Sequence, residues 1–182
     1  MENPLTLKSP VFEDHRGTFA PSTIRHSHKS HLYLRKDWIQ SNLSINTNAL
    51  TFRGLHFQET FPQSKLIKVV QGSIIDFAVD VRSENFGKVY KWDLSVGDSV
   101  YIPKGFAHGF ITKEPNTIVE YMVDEDYYPS LEKSINWRSV NDVAYDILDL
   151  VINENVIISD KDDSAVTLDD YRRTLETKIK DN

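Results

Sequence analysis

Two histidines stand in short glycine-containing segments that could present their side chains to a substrate. His56 lies in TFRGLHFQ, residues 51–58, and His108 lies in PKGFAHGF, residues 103–110. An imidazole titrates near neutral pH, so it can serve as a general base or acid, and it is also a common metal ligand. Both segments fall in a strand-rich region, and the mouth of a β-barrel is a frequent place for a binding site. The pair therefore predicts acid–base chemistry or a metal site in a barrel mouth.

The spacing around His108 is similar to one half of the metal signature of cupin barrels. Residues 97–108 match the second cupin signature, GX5PXGX2H. The first signature, HXH with a glutamate nearby, is incomplete, because Gln58 replaces its second histidine and residues 62–63, Pro-Gln, replace the glutamate. A stable divalent site needs three or four nitrogen or oxygen ligands. We therefore expect no bound metal, and acid–base work for the histidines.

Short strands must position these side chains. Glycine-containing turns separate β-rich segments between residues 65 and 126, a rhythm that predicts an antiparallel sandwich or barrel. In SIIDFAVDV, Asp76 and Asp80 interrupt the apolar run, so one face of that strand is expected to line something polar. Nearer the amino terminus, VFEDHRGTF and WIQSNLS are candidate edge or exchanged strands. The β-rich segments are LIKVVQ, SIIDFAVDVR, KVYKWDL, SVYIP, AHGFIT and TIVEYMV.

The carboxyl-terminal end has a helical pattern instead. Apolar residues recur on one stripe from Leu168 to Ile179, and Thr167 with Asp170 resembles a capping box. The sequence predicts one terminal helix over about 167–180 and a barrel core over about 38–138. No repeat or linker divides the 182 residues, so one domain is expected.

Composition narrows the class of partner. The formal net charge is −6, and no basic cluster is longer than Arg172-Arg173, which argues against a nucleic-acid partner. The chain has no cysteine and no long apolar run. We therefore expect no disulfide framework, no membrane segment and a cytoplasmic location.

Several motifs together resemble the dTDP-4-dehydrorhamnose 3,5-epimerase family of metal-free cupins. They are FEDHRGTF, QSNLS, RGLHFQ, GSIIDFAVDVR, YIPKGFAHGF, VEYMVDEDYYP and ISDKD, and they extend from Val11 to about Asp163. The resemblance implies an all-β cupin-type double-stranded β-helix, or jelly-roll barrel, with a short C-terminal helix. It also implies an isomerase without metal or cofactor, and a homodimer whose subunits exchange amino-terminal strands.

The family reaction inverts the carbons that flank the ketone of a nucleotide-linked 4-keto-6-deoxyhexose. By resemblance, His56 is the base that removes the carbon-bound proton, and Asp162 orients its ring. Lys65 stabilises the negative charge on the ketone oxygen, and Tyr121 returns a proton from the opposite face. The commonest case in the family serves dTDP-rhamnose biosynthesis and, through it, polysaccharides.

The same resemblance assigns residues to the nucleotide-diphosphate sugar. Arginine suits the diphosphate because its planar fork donates two hydrogen bonds at once. An acidic protein can hold this anion if Arg16, Arg53 and Lys65 converge. The implied substrate-binding residues are Arg16, Gln40, Asn42, Arg53, His108, Glu132 and Lys161.

Alternatives stay open at this point. A nucleotide-sugar 3,4-ketoisomerase on the same barrel commonly has a second histidine soon after the first, where this chain has Gln58. A non-catalytic cupin could bind a sugar nucleotide, although it would be expected to lack some of the catalytic side chains. A metal-dependent cupin oxygenase lacks its ligands here. Pro21, Met122 and Asp126 depart from the family pattern and leave open the nucleotide, the sugar, and whether one carbon or both are inverted.

Overall fold

Antiparallel strands dominate the computed structural model, which describes residues 2–15, 17–19, 37–151 and 155–180. In chain order the strands are β1 (Leu5–Lys8), β2 (Phe12–Asp14), β3 (Gly17–Phe19), β4 (Gln40–Asn46), β5 (Phe52–Gln58), β6 (Lys65–Gln71), β7 (Ser73–Asp80), β8 (Val89–Ser95), β9 (Asp98–Ile102), β10 (Phe106–Thr112), β11 (Thr117–Val123) and β12 (Glu132–Ser134). The helices are α1 (Asn141–Leu150), α2 (Asp160–Asp163) and α3 (Leu168–Lys180). Short 3-10 turns lie at Ser83–Asn85, Pro129–Leu131 and Trp137–Ser139.

The described strands form two five-stranded sheets and one hairpin. The first sheet has the order β1-β9-β6-β11-β4, the second has the order β12-β5-β10-β7-β8, and β2 pairs with β3. Every pairing between these strands is antiparallel. The predicted all-β jelly-roll barrel with a C-terminal helix is confirmed.

A buried cluster joins the inner faces of the two sheets. Ile67 and Val119 of the first sheet belong to the same cluster as Ile74, Ala78 and Phe110 of the second. These residues follow the two-residue period of their strands, which sends alternate side chains to one face. Removal of this apolar surface from water holds the sheets face to face.

A second apolar layer covers the outer face of the second sheet. Phe52 and Phe77 of the sheet pack in one cluster with Val143 and Ile147 of α1 and Tyr171 of α3. The terminal helix was predicted, and Thr167 caps it by accepting a hydrogen bond from the backbone N–H of Asp170 at 3.1 Å. Helix α1 and the single turn α2 were not predicted.

The amino-terminal predictions are also strands. VFEDHRGTF contains the hairpin β2–β3, and WIQSNLS overlaps β4, which lies at the edge of the first sheet. Among the described residues, no helix is long and apolar enough to cross a membrane.

Candidate active site

A cavity of about 950 Å³ opens between the two sheets. Its wall includes side chains from β4, β6 and β11 of the first sheet and from β5, β10 and β12 of the second. Arg16 lies outside the described residues. The other predicted catalytic and substrate-binding residues all line this cavity: His56, Lys65, Tyr121, Asp162, Gln40, Asn42, Arg53, His108, Glu132 and Lys161.

A close backbone approach between β5 and β10 sets the two histidines opposite each other. His56 and His108 are cross-strand partners, and the register shifts between His108 and Phe110. A Cβ on Gly54, whose φ is +127°, would meet the Cα of Gly109 at 2.5 Å. Only glycine allows this approach and this backbone angle. The glycine in RGLHFQ therefore has a geometric role in presenting His56.

His56 forms a dyad with Asp162. Its Nε2 lies 2.6 Å from Oδ1 of Asp162, and Oδ2 of the same carboxylate accepts the backbone N–H of Gly54 at 3.3 Å. Ser159 caps α2 by accepting the N–H of Asp162 at 3.2 Å. Burial tends to raise the pKa of Asp162, but the hydrogen bonds and charge of His56 outweigh it, so the pKa is lowered. The carboxylate is therefore ionised where it meets the imidazole.

Backbone pairing brings α2 to β5 although the dyad spans more than half of the chain. Thr51 and Ile157 form a parallel bridge, and the N–H of Phe52 donates to the carbonyl of Ile157 at 2.8 Å. The segment after residue 155 therefore runs beside β5 and delivers Asp162 to the cavity. The polar ISDKD motif could have been a solvated turn, but Asp162 is buried.

Lys65 brings a positive charge to the same place. It begins β6 in the first sheet, and its Nζ donates to the backbone carbonyl of His56 in the second sheet at 3.3 Å. Burial lowers the pKa of Lys65 to about 8, while the negative charges of Glu132 and Asp76 raise it. The Lys65 ammonium is thus a hydrogen-bond donor close to His56, and it can lose its proton near neutral pH.

Tyr121 lies on β11, on the opposite side of the cavity from His56. Burial raises the pKa of its phenol, the positive charge of Arg53 lowers it, and Glu132 raises it. A phenol in this setting keeps its proton and can donate it. Arg53 is held nearby, because its Nε donates to Oδ1 of Asn46 at 2.8 Å.

His108 pairs with a carboxylate that the sequence analysis had not assigned to the site. Its Nε2 lies 2.8 Å from Oδ2 of Asp76, which is fully buried on β7. The interrupted alternation in SIIDFAVDV was a correct signal for Asp76. Asp80, flagged by the same pattern, forms an ion pair with Arg82 at 2.6 Å instead of contacting a residue of the cavity wall.

The remaining polar residues of the wall interact with one another. Glu132 accepts hydrogen bonds from Lys161 and, at 3.2 Å, from the hydroxyl of Tyr127. The hydrogen bond with Glu132 raises the pKa of Lys161. On β4, the side-chain amide of Gln40 donates to Oδ1 of Asn42 at 2.6 Å. Tyr127 lines the cavity as well, although no role had been predicted for it.

Possible metal ligands are not grouped in the part of the chain that the structure describes, where no three His, Cys, Asp or Glu side chains could hold one ion together. His56 and His108 instead each face one carboxylate. This arrangement suits proton transfer, because a carboxylate partner orients an imidazole and stabilises its protonated form.

Comparison with known proteins gives a consistent result. The family model for dTDP-4-dehydrorhamnose 3,5-epimerase matches residues 1–170. The enzyme of that name from Methanothermobacter thermautotrophicus is 34% identical over 166 residues, which are 89% of this chain and 88% of that protein.

Two solved structures share the fold at similar identity. The dTDP-4-dehydrorhamnose 3,5-epimerase of Bacillus anthracis, with TDP and PPi bound, is 35% identical with a TM-score of 0.75, over 90% of this chain and 93% of that one. The dTDP-6-deoxy-D-glucose-3,5-epimerase of Legionella pneumophila, in complex with dTDP-4-keto-L-rhamnose, is 31% identical with a TM-score of 0.79, over 91% and 88% of the two chains. The dyad, the lysine and the tyrosine around one cavity thus occur on a chain that belongs to the dTDP-4-dehydrorhamnose 3,5-epimerase family.

Proposed function

We propose that this protein inverts C3 and C5 of dTDP-4-dehydro-6-deoxyglucose to give dTDP-4-dehydrorhamnose. One observation carries the proposal: a candidate base, His56, and a candidate acid, Tyr121, line one cavity from opposite sheets. Inversion requires a proton to leave one face of a carbon and another to arrive on the opposite face. The names of the relatives support this substrate, and the family membership supports an isomerase.

Proton removal is the first step. C3 and C5 flank the C4 ketone, so when His56 takes a proton from either carbon the C–H electrons form a carbon–carbon double bond and the ketone oxygen becomes an enolate. Nε2 of His56 faces Asp162, which leaves Nδ1 to accept the proton. Asp162 holds the ring in this orientation and stabilises the imidazolium.

Charge stabilisation and reprotonation complete the inversion. The ammonium of Lys65 offsets the negative charge on the enolate oxygen, and preorganised donors of this kind contribute about 3 kcal/mol each. Tyr121 donates its phenolic proton to the carbon from the opposite face, which restores the ketone with the inverted configuration. His56 and Tyr121 then return to their starting protonation states by exchange with water.

Binding of the nucleotide diphosphate is assigned to polar residues around the cavity. Arg53 offers a fork of donors for phosphate, and Gln40 and Asn42 of β4 offer amide groups. His108, Glu132 and Lys161 lie on the wall near the candidate base. Arg16, which lies between β2 and β3 in the sequence, completes the proposed set.

A homodimer is part of this proposal. The hairpin carries Phe12 and Phe19, which are paired and are 57% and 67% exposed. On β4, Leu43 and Ile45, which also line the cavity, are 64% and 63% exposed. Exposed apolar side chains of this size favour burial against a partner. In the proposed dimer the hairpin extends to the neighbouring subunit, and Arg16 reaches the neighbour's cavity.

The proposal also covers the domain organisation, the cellular location and the pathway of the protein. We propose that residues 1–182 act as one cupin-type epimerase domain, because the cavity is built from strands spread over both sheets. A cytoplasmic location suits a chain without cysteine. The product would supply rhamnose for polysaccharides.

The test is conversion of the substrate by purified protein. We would incubate the protein with dTDP-4-keto-6-deoxyglucose and determine the configuration of the product at C3 and C5 by NMR. Inversion at both carbons is the expected result. A 3-keto product would support the ketoisomerase, and binding without conversion would support the non-catalytic cupin. The GDP, CDP and UDP analogues would show which nucleotide is preferred.

The ketoisomerase is not favoured by the residue at position 58. In place of a second histidine, Gln58 donates to the backbone carbonyls of Phe61 at 2.8 Å and Asp126 at 3.0 Å. Its Oε1 accepts the N–H of Tyr128 at 2.6 Å. These three bonds give Gln58 a structural role beside the cavity.

A further inference from the structure

A carboxylate lies inside the barrel, where a charge is costly. Asp76 is fully buried in the middle of β7, on the same strand face as Ile74 and Ala78, which belong to the inner apolar cluster. A buried carboxylate is strongly unfavourable unless it is paired and hydrogen-bonded. Its presence on this face therefore calls for partners within the cavity wall.

The partners of Asp76 are two groups of the proposed active site. Oδ2 lies 2.8 Å from Nε2 of His108. Oδ1 accepts no hydrogen bond from any residue that the structure describes. The negative charge of Asp76 also acts on Lys65, because it is one of the two charges that raise the pKa of that lysine. Asp76 thus connects a proposed binding residue with the proposed enolate stabiliser.

Charge balance determines the protonation state of these three groups. Burial lowers the pKa of His108, so its imidazole is neutral. Burial also raises the pKa of Asp76, and the interaction with His108 and the positive charge of Lys65 counteract that rise. A neutral Asp76 would leave the Lys65 ammonium without its charge partner on β7. An ionised Asp76 balances the ammonium and accepts the proton on Nε2 of His108. Nδ1 of His108 then carries a lone pair and is the acceptor that remains for a ligand.

We propose that Asp76 is a positioning residue for the epimerisation: it holds His108 as the Nε2–H tautomer, so that Nδ1 accepts a hydrogen bond from a sugar hydroxyl, and its charge keeps Lys65 as an ammonium. The inference rests on the proposed function, since it assigns a role within the same cavity. It requires no contact between Asp76 and substrate.

The groups around Lys65 determine what the loss of this charge would do. Glu132 faces it from β12, Asp76 acts from β7, and the carbonyl of His56 accepts its hydrogen bond. Burial lowers the pKa of Lys65 more than the two carboxylates raise it, so the pKa is about 8. Without the charge of Asp76, only Glu132 would raise the pKa of Lys65 against the effect of burial. Lys65 would then lose its proton at a lower pH. For His108, the charged or titratable neighbours are Asp76, Lys65 and His56.

The first test compares two variants of β7. Asp76→Asn removes the charge and keeps the volume. Asp80→Asn is the matched control, because Asp80 is equally buried on the same strand face but pairs with Arg82 outside the cavity. We would measure kcat/KM for dTDP-4-keto-6-deoxyglucose across pH. In this profile, the alkaline limb is the fall of kcat/KM at high pH. In Asp76→Asn it should occur at a pH lower by about 1 unit or more, the size expected for loss of a close opposite charge.

The outcome of this comparison is decisive for the charge effect. The alkaline limb of Asp80→Asn should coincide with that of the unmodified protein. A purely structural role for Asp76 would reduce activity without moving the limb. The inference is overturned if the limb of Asp76→Asn does not move, or if Asp80→Asn moves it equally.

A second measurement does not depend on catalysis. NMR of the ring nitrogens in protein labelled with ¹⁵N-histidine, with His108 assigned by His108→Gln, reports its tautomer. The unmodified protein should have a protonated Nε2 and an unprotonated Nδ1, and Asp76→Asn should weaken that preference. A protonated Nδ1 in the unmodified protein would overturn the inference even if Asp76→Asn failed to fold. If the protein converts no substrate, the proposed function fails while this readout still tests the Asp76–His108 pair.

Discussion

His56 on β5 and Tyr121 on β11 face the same cavity from opposite sheets. Two proton-transfer groups on opposite sides of a bound sugar are what inversion of a carbon requires. The barrel achieves this separation because its sheets pack face to face, so each contributes one inward-facing side chain.

The Asp162 carboxylate should be needed for His56 to act as a base. Asp162→Asn removes the charge that orients the imidazole, and we expect proton exchange on the substrate to slow by on the order of 10²- to 10⁴-fold. Asp163→Asn is the matched control, because Asp163 is the next residue but forms an exposed ion pair with Arg138. Equal rates for the two variants would remove Asp162 from the dyad's function.

Loss of the Tyr121 hydroxyl should separate exchange from inversion. In Tyr121→Phe, His56 can still remove and return a proton on one face, so exchange with solvent should persist while inversion falls by about 10²-fold. NMR of the product in heavy water measures both rates. Tyr145→Phe is the control, because Tyr145 is 73% exposed on α1. An equal loss of exchange and inversion in Tyr121→Phe would contradict the role of acid.

The pH profile should report the ammonium of Lys65. Because burial lowers the pKa of Lys65 to about 8, the stabilising charge is present below that pH and is lost above it. We therefore expect kcat/KM to fall as the pH rises through about 8. Lys65→Arg has a guanidinium that keeps its charge, so its kcat/KM should not fall in this pH range, even though its overall rate is lower.

A control on the same profile identifies the titrating group. Tyr121→Phe should keep the alkaline limb, because burial raises the pKa of the Tyr121 phenol. If the limb survives in Lys65→Arg and disappears in Tyr121→Phe, the titrating group is the tyrosine and the assignment to Lys65 is wrong.

The proposed dimer should depend on the exposed apolar side chains of β4. The protein should sediment at twice the 21.0 kDa mass of one chain. Leu43→Asp places a charge at an exposed apolar position and should shift the mass toward that of one chain. Tyr145→Asp, on α1, should leave the mass unchanged. A monomeric unmodified protein would contradict the dimer.

Strands were the most predictable part of the fold. TIVEYMV coincides with β11, and LIKVVQ differs from β6 only at its first residue. Helix α1 was missed because its start lacks a capping signal: Val140 is at the N-cap, and no side chain bonds the first turn. Helix α3 was found because Thr167 and Asp170 form that signal.

Site residues were predictable only where a motif existed. His56 and Asp162 are separated by 106 positions in the sequence and form no local pattern, so resemblance alone paired them. Asp76 and Asp80 interrupt the same strand in the same way, yet only Asp76 faces a histidine. The pairing of β7 with β10 places Ala78 opposite His108, with one aspartate two positions to either side, so the register alone does not select between them.

Isotope exchange reports directly on proton removal by His56. The protein and its His56→Ala variant would be incubated with dTDP-4-keto-6-deoxyglucose in heavy water, and the C3 and C5 protons followed by NMR. We expect loss of both proton signals with the unmodified protein and retention of both with His56→Ala, while circular dichroism shows the same fold. Substantial exchange by His56→Ala, or none by the unmodified protein, would contradict this expectation.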